Sequence, residues 1–262
     1  MYFYPWEPNL LSQPMKLYSI HTFLHGASAS LCKIVSSWPV LQSAARLEPH
    51  MTSGYIANLC HRLFLPLLML QEIYILRHGQ TEFNADGKLQ GHCNSPLTDL
   101  GRAQARAYGK TLANPPCDTA GFQLLSSPLG RAMETAALVA AELGLATTAI
   151  AQEPRLMEAG LGEWEMARIA DIHAAYPVLA GRNDWYLQAP GAETLAAIRA
   201  RLLEWLQDPA TPERVIIVSH GITTVVLRGL LLGLDDSAMW RQDKPQDAFY
   251  HFANDAMARI GC

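Results

Sequence analysis

Two short apolar runs end alike, in Ile75-Leu76-Arg77-His78-Gly79 and Ile217-Val218-Ser219-His220-Gly221. Continuous β-branched runs of this length suit strands buried on both faces, as the central strands of a parallel sheet are. A histidine just past the carboxyl end of each falls where open parallel sheets keep their ligand crevice. Two imidazoles can therefore share one site. Taken singly, each histidine is better explained as a hydrogen-bonded residue at a strand end, but together the matching contexts favour a common functional role.

The surrounding pattern fits that placement. Glu72–Leu76 reads as a strand, and Thr98–Leu112 as a helix with Thr98 as N-cap and Leu100, Ala103, Ala107 and Tyr108 along one side. Phe122–Ser126 reads as a strand, followed by a helix in which Ser127 is the N-cap, Pro128 the first position, and Gly144 the stop after about Leu143. A further helix spans Glu193–Leu206 with a stripe of Leu195, Ile198, Leu202, Trp205 and Leu206. Strand Val215–Val218 and helix Ile222–Leu232 complete the alternation. The expected fold is α/β: a three-layer sandwich with a mostly parallel central sheet flanked by helices, over residues 71–262.

Residues 1–70 differ. They hold two acids (Glu7, Glu48) against four bases (Lys16, Lys33, Arg46, Arg62) and no sustained period of 2 or 3.6, which predicts a poorly structured N-terminal extension. Of two origins, an accessory or targeting extension and an upstream stretch translated from a misassigned start, composition favours the second, with Met51 or Met69 opening the protein. The apolar stretch Leu63–Leu70 is broken by Pro66 and is far short of the roughly 18 residues that span a bilayer. It leads directly into the first strand, so cleavage there as a signal peptide would damage the fold.

Half the residues are hydrophobic and 17% charged, which excludes disordered, collagenous and coiled-coil chains. A net charge of -4 gives no general attraction to nucleic acid or to an anionic membrane, so neither is an expected partner and anion binding must come from clustered arginines. Arg77 beside His78 is one such arginine; Arg131, in the first turn of a predicted helix, is another. A cation there opposes the helix dipole, so a bound anion explains it better than a surface ion pair. Five cysteines, an odd number without a C-x-x-C pair, suggest a reducing cytoplasm, and no zinc-type or H-x-x-x-H spacing is present.

The ordered set Arg77-His78-Gly79 with Thr81 and Asn84, Gln90-Gly91, Pro96-Leu97-Thr98 with Gly101, Ser126-Ser127-Pro128-Leu129 with Arg131-Ala132 and Thr135-Ala136, and Ser219-His220-Gly221 resembles the histidine phosphatase superfamily, which also contains the cofactor-dependent phosphoglycerate mutases. The resemblance covers about residues 72–260. It implies that His78 is the nucleophile, taking the phosphoryl group on its imidazole nitrogen. Arg77, Arg131 and His220 would hold the phosphate oxygens, and Asn84 would add a hydrogen bond. Thr81, Gln90 and Gly91 would line the substrate position. It also implies that Glu158 supplies the leaving-group proton. Glu163 and Glu165 are nearby rivals, read here as solvated loop acids. Phosphoryl transfer asks chiefly for in-line positioning and neutralised equatorial oxygens, which this set can give with no metal or cofactor.

The resulting expectation is a metal-independent phosphomonoesterase working through a phosphohistidine on a small phosphorylated metabolite. A phosphoglycerate mutase is the first alternative, disfavoured because the stretch from Glu158 to His220 lacks the long basic insertion associated with mutases. A non-catalytic scaffold that binds phosphorylated ligands is the second, disfavoured because binding alone would not need the acid. Three departures, Gln80, Asn94 and Met166, are expected to bear on the rim and on specificity. Residues 167–190, with Trp185 and Tyr186, are expected to form a cap, while His92 and His173 read as ordinary loop residues. Oligomeric state stays open, a homodimer being compatible with the sequence.

Overall fold

A computed structural model describes residues 72–262; the expectations for residues 1–70 lie outside it. In chain order the strands are β1 (Glu72–Arg77), β2 (Gln123–Ser126), β3 (Ala151–Gln152), β4 (Arg214–Ser219), β5 (Ala248–Ala253) and β6 (Ala256–Gly261). The helices are α1 (Glu82–Ala85), α2 (Asp99–Leu112), α3 (Gly130–Glu142), α4 (Ile169–Ala175), α5 (Leu195–Gln207), α6 (Gly221–Leu232) and α7 (Asp236–Trp240), with short single turns between them. One six-stranded sheet has the order β3-β2-β4-β1-β5-β6; the first four strands pair in parallel, and the β1–β5 and β5–β6 pairings are antiparallel, so β5 alone runs against the rest.

β1 and β4 are neighbours at the centre because both are apolar throughout. Ile73, Ile75, Val215 and Ile217 face α5 and α6, packing with Ile198, Leu202, Trp205, Val225 and Leu227. Tyr74, Leu76, Ile216 and Val218 face the opposite layer, with Tyr108 and Leu112 of α2 and Ala132, Ala136 and Val139 of α3. Each large side chain so buried contributes about 1.5–3 kcal/mol, so the two core layers fix which strand faces pair. This is the expected three-layer sandwich, and register pairs Arg77 with Ser219, setting the two following histidines side by side.

Several local expectations need correction. Of the expected α2 stripe only Tyr108 is buried; the buried side is Gly101, Ala105, Tyr108, Gly109 and Leu112, and Leu100 is 54% exposed. Small residues face α3 here because the two helices approach closely: a Cβ on Gly109 would run into the Glu142 side chain. Ser127 does not cap α3. That helix starts three residues later, after Leu129, with no cap from its own N-terminal side chain. The cap comes from Asn94, whose Oδ1 accepts the Arg131 N–H at 3.2 Å. Thr98 caps α2 as expected, accepting the Gly101 N–H at 3.0 Å, and Gly144 adopts the left-handed conformation beyond α3. The β5–β6 hairpin, absent from the sequence reading, turns through Asn254 and Asp255, both at positive φ as a tight two-residue hairpin requires.

Candidate active site

The carboxyl ends of β1, β2 and β4 converge with the amino ends of α3 and α6. The rings of His78 and His220 stand 5.2 Å apart between centroids, and both are buried. His78 Nδ1 lies 2.7 Å from the carbonyl oxygen of Gly79. A carbonyl only accepts, so Nδ1 carries the proton and Nε2 keeps its lone pair. The glycines enforce this turn: a Cβ on Gly79 would collide with the Gly101 carbonyl, and one on Gly101 with that of Gln80.

His220 Nε2 is 2.7 Å from Ser127 Oγ, while its Nδ1 is buried without a partner. Nε of Arg77 and Nε of Arg131 are likewise buried and unpartnered among the described residues. The other ends of both guanidinium groups are fixed. Arg77 Nη1 donates to the Lys244 carbonyl at 2.6 Å; Arg131 Nη1 and Nη2 donate to the carbonyls of Cys93 and Gly91, each at 2.8 Å. Orphaned donors on three side chains are costly in an empty interior and are what an oxyanion would complete.

Electrostatics agree. Burial, then Arg131 and Arg77, hold His78 well below the usual imidazole range; burial, then Arg131 and His78, do the same for His220. Both rings are neutral at pH 7, which leaves the His78 Nε2 lone pair available. Burial also lowers Arg77, and it brings Arg131 down to about 10, so Arg131 still carries charge at neutral pH.

Glu158 is buried against the start of α6. Its carboxylate accepts the N–H groups of Ile222 at 3.2 Å, Thr223 at 3.1 Å and Ala159 at 3.0 Å. Glu163 is exposed, as expected of a solvated loop acid. Glu165 is not one: its Oε1 accepts the N–H groups of His92 and Leu161, and its Oε2 the Cys93 thiol. Burial opposes its charge, yet these donors outweigh burial and lower its pKa. Glu165 thereby shapes the loop whose carbonyls hold Arg131. Gly91, at φ +53°, is required there because a Cβ would enter the Glu165 carboxylate.

The remaining expected residues divide. Asn84 Oδ1 accepts the Thr81 N–H at 3.2 Å, which leaves the amide nitrogen of Asn84 free to donate. Thr81 is fully buried and spends its hydroxyl accepting the Asn84 N–H, so it orients Asn84. Gln90 is buried with Oε1 unpartnered. Two departures expected at the rim are structural: Asn94 caps α3, and Gln80 Oε1 accepts the Thr98 hydroxyl at 2.9 Å. Met166 is exposed and at φ 68°. His92 Nε2 sits 2.9 Å from the Glu158 carbonyl, and His173 packs edge-on against Trp185. Trp164, just before the expected cap, forms a small separate apolar cluster with Ile172 and Ala189 from within it, and Trp185 packs against them.

Sequence reasoning missed the segment between α7 and β5. Gln246 Nε2 donates to the His78 carbonyl at 3.0 Å and reaches Asn84 Oδ1 at 3.4 Å. Lys244 Nζ donates to Tyr186 Oη at 3.2 Å. These contacts join residues more than fifty positions apart and carry no local motif. Among the described residues no cluster of three or more metal-ligating side chains occurs.

Comparison with known proteins places these features. A model of the "Histidine phosphatase superfamily (branch 1)" matches residues 73–253. Glucosyl-3-phosphoglycerate phosphatase of Mycolicibacterium vanbaalenii is 31% identical over 179 residues, covering 64% of this chain and 76% of that protein. The probable phosphoglycerate mutase GpmB of Photorhabdus laumondii is 33% identical over 172 residues, covering 63% and 76% respectively. The structure of a mycobacterial glucosyl-3-phosphoglycerate phosphatase in complex with VO3 superposes with a TM-score of 0.56 at 26% identity, over 73% of this chain and 97% of that one.

Proposed function

The chain belongs to the histidine phosphatase superfamily, and from that premise we propose that it hydrolyses the phosphomonoester of a small phosphorylated metabolite, with His78 as the transient phosphoryl carrier. The observation that carries this reading is the His78 Nε2 lone pair facing a set of buried, unpartnered donors on Arg77, Arg131 and His220.

In the first displacement Nε2 attacks phosphorus, the P–O ester bond breaks, and the departing oxygen takes its electron pair together with a proton from Glu158. In the second, water gives its proton to the Glu158 carboxylate and attacks phosphorus, the P–N bond breaks, and phosphate and neutral imidazole are restored. Arg77, Arg131, the amide of Asn84 and Nδ1 of His220 meet the equatorial oxygens throughout. Gln90 and Gly91 support the loop beneath Arg131, and Thr81 supports Asn84. The catalytic unit in this reading is residues 71–262, the location is the cytoplasm, and neither metal nor cofactor takes part. Relatives bearing phosphatase and mutase names both match, and the short stretch from Glu158 to His220 supports hydrolysis over mutation.

The test is release of phosphate from p-nitrophenyl phosphate and a panel of metabolite esters, with and without chelator. Chelator-resistant turnover is expected, with an acid-labile adduct on His78 in rapidly quenched enzyme. His78→Ala should lower turnover by more than about 10³-fold. Glu158→Gln should slow alkyl esters far more than the nitrophenyl ester, whose leaving group needs no proton. An active His78→Ala chain would remove the reading; bisphosphate-primed isomerisation of phosphoglycerate without net hydrolysis would replace it by the mutase.

A further inference from the structure

The segment that reaches the site between α7 and β5 brings with it a cation that the phosphoryl chemistry above does not use. Arg228, buried in α6, donates through Nε to the Thr224 carbonyl and through Nη2 to the Asp243 carbonyl, and its guanidinium carbon lies 3.9 Å from the centroid of the Tyr250 ring. Arg77 takes the next carbonyl, that of Lys244, at 2.6 Å. Two guanidinium groups thus pin successive peptide units, and the direction of the Lys244 side chain follows.

That side chain runs beside the phosphoryl position. Lys244 Cδ lies 3.6 Å, and Arg77 Nε 3.5 Å, from the point that a Cβ on Gly221 would occupy. Among the described residues its ammonium contacts Tyr186 of the expected cap, donating to the hydroxyl and lying 5.0 Å from the ring centroid, and it pairs with no carboxylate there. Tyr186 itself is buried, so the ammonium is held at a fixed place on the boundary between cradle and cap. Burial lowers the Lys244 pKa and Arg77 lowers it further, with Glu158 opposing. An unpaired, half-buried cation next to another cation is unfavourable, and a ligand anion relieves it. Arg77 and Arg131 face the phosphoryl position with their unpartnered Nε atoms, which leaves Lys244 as a further cationic side chain beside them with no protein carboxylate of its own.

We propose that Lys244 Nζ, braced by Tyr186 Oη, binds a carboxylate carried by the substrate, so that the site prefers phosphorylated hydroxy acids to phosphate esters of neutral alcohols. The proposal rests on the phosphatase reading for where the phosphoryl group sits.

A matched pair of ligands tests it: phosphoglycolate and ethyl phosphate, which share a two-carbon length and differ in the carboxylate. Calorimetry on the full-length His78→Ala chain, which cannot consume either, should give roughly tenfold tighter binding of phosphoglycolate. Adding Lys244→Met should collapse that ratio to about one, while Lys244→Arg should keep most of it and show that the position tolerates substitution. A ratio near one with Lys244 in place, a ratio unchanged by Lys244→Met, or no binding of either ligand would overturn the proposal. Turnover of p-nitrophenyl phosphate by the unsubstituted chain, measured in parallel, reports on the phosphatase reading alone.

Discussion

His220 Nε2 and Ser127 Oγ lie 2.7 Å apart, joining the end of β4 to the loop after β2. Ser127 Oγ also accepts the Leu129 N–H at 3.3 Å, so its own proton is free to go to Nε2. That puts the imidazole proton on Nδ1, the buried atom that lacks a partner. Ser127→Ala should therefore leave the fold in place and let His220 adopt the other tautomer. We expect kcat/KM to fall roughly tenfold, the worth of one charge-assisted hydrogen bond. Unchanged kinetics would mean that His220 does not donate through Nδ1.

Glu165→Gln tests the support beneath Arg131. The variant keeps an acceptor oxygen but loses the charge that the His92 and Leu161 amides and the Cys93 thiol surround. A cost of about 1–3 kcal/mol in chemical denaturation is expected, with a rise in KM as the Gly91 and Cys93 carbonyls drift from Arg131. Wild-type stability together with wild-type KM would argue that the loop holds itself.

The two buried imidazoles make stability depend on pH. Both titrate below the ordinary histidine value near 6.5 when folded, so the unfolded chain binds protons that the folded chain refuses. Their contribution is complete above about pH 6.5 and is lost as pH falls from there towards the folded values. The melting temperature should be lower at pH 5.5 than at pH 7.5, and His220→Asn should flatten that slope. A melting temperature indifferent to pH across this range would contradict the neutral, buried assignment.

Met166→Gly addresses backbone strain. Met166 holds φ 68° while its side chain is 57% exposed, so little packing is lost on removing it. Relief of the left-handed conformation, partly offset by the greater freedom of glycine in the unfolded chain, should stabilise by about 0.5–1 kcal/mol. Thermal denaturation would show it as a small upward shift, and a downward shift would mean that the methionine packs in solution.

What could be read in the residues follows from how local the cause is. The ends of β1 and β4 were legible because unbroken Ile and Val runs leave a strand little alternative, and the glycine after each histidine marks the turn. The N-cap Thr98 and the αL Gly144 were legible for the same reason, each acting within four residues. The buried face of α2 was misjudged because close approach to α3 selects Gly101, Ala105 and Gly109, so hydrophobicity is a poor guide where two backbones nearly touch. Ser127 was misjudged because His220, 93 residues away, claims its hydroxyl, while Asn94 replaces it as cap from 37 residues upstream. Lys244 and Gln246 left no trace at all, since their partners Arg77, His78 and Asn84 lie more than 160 residues earlier.

The antiparallel strand β5 completes β1 on its second side, and the residues that grip Arg77, His78 and Asn84 immediately precede it. During synthesis His78 leaves the ribosome early, whereas this grip arrives almost 170 residues afterwards. A nascent chain halted before Ala248 would display both histidines with β1 still an open edge. Catalysis would then begin only when translation is nearly done, and nonsense truncations ahead of Lys244, which remove both this grip and β5, should be as silent enzymatically as loss of His78.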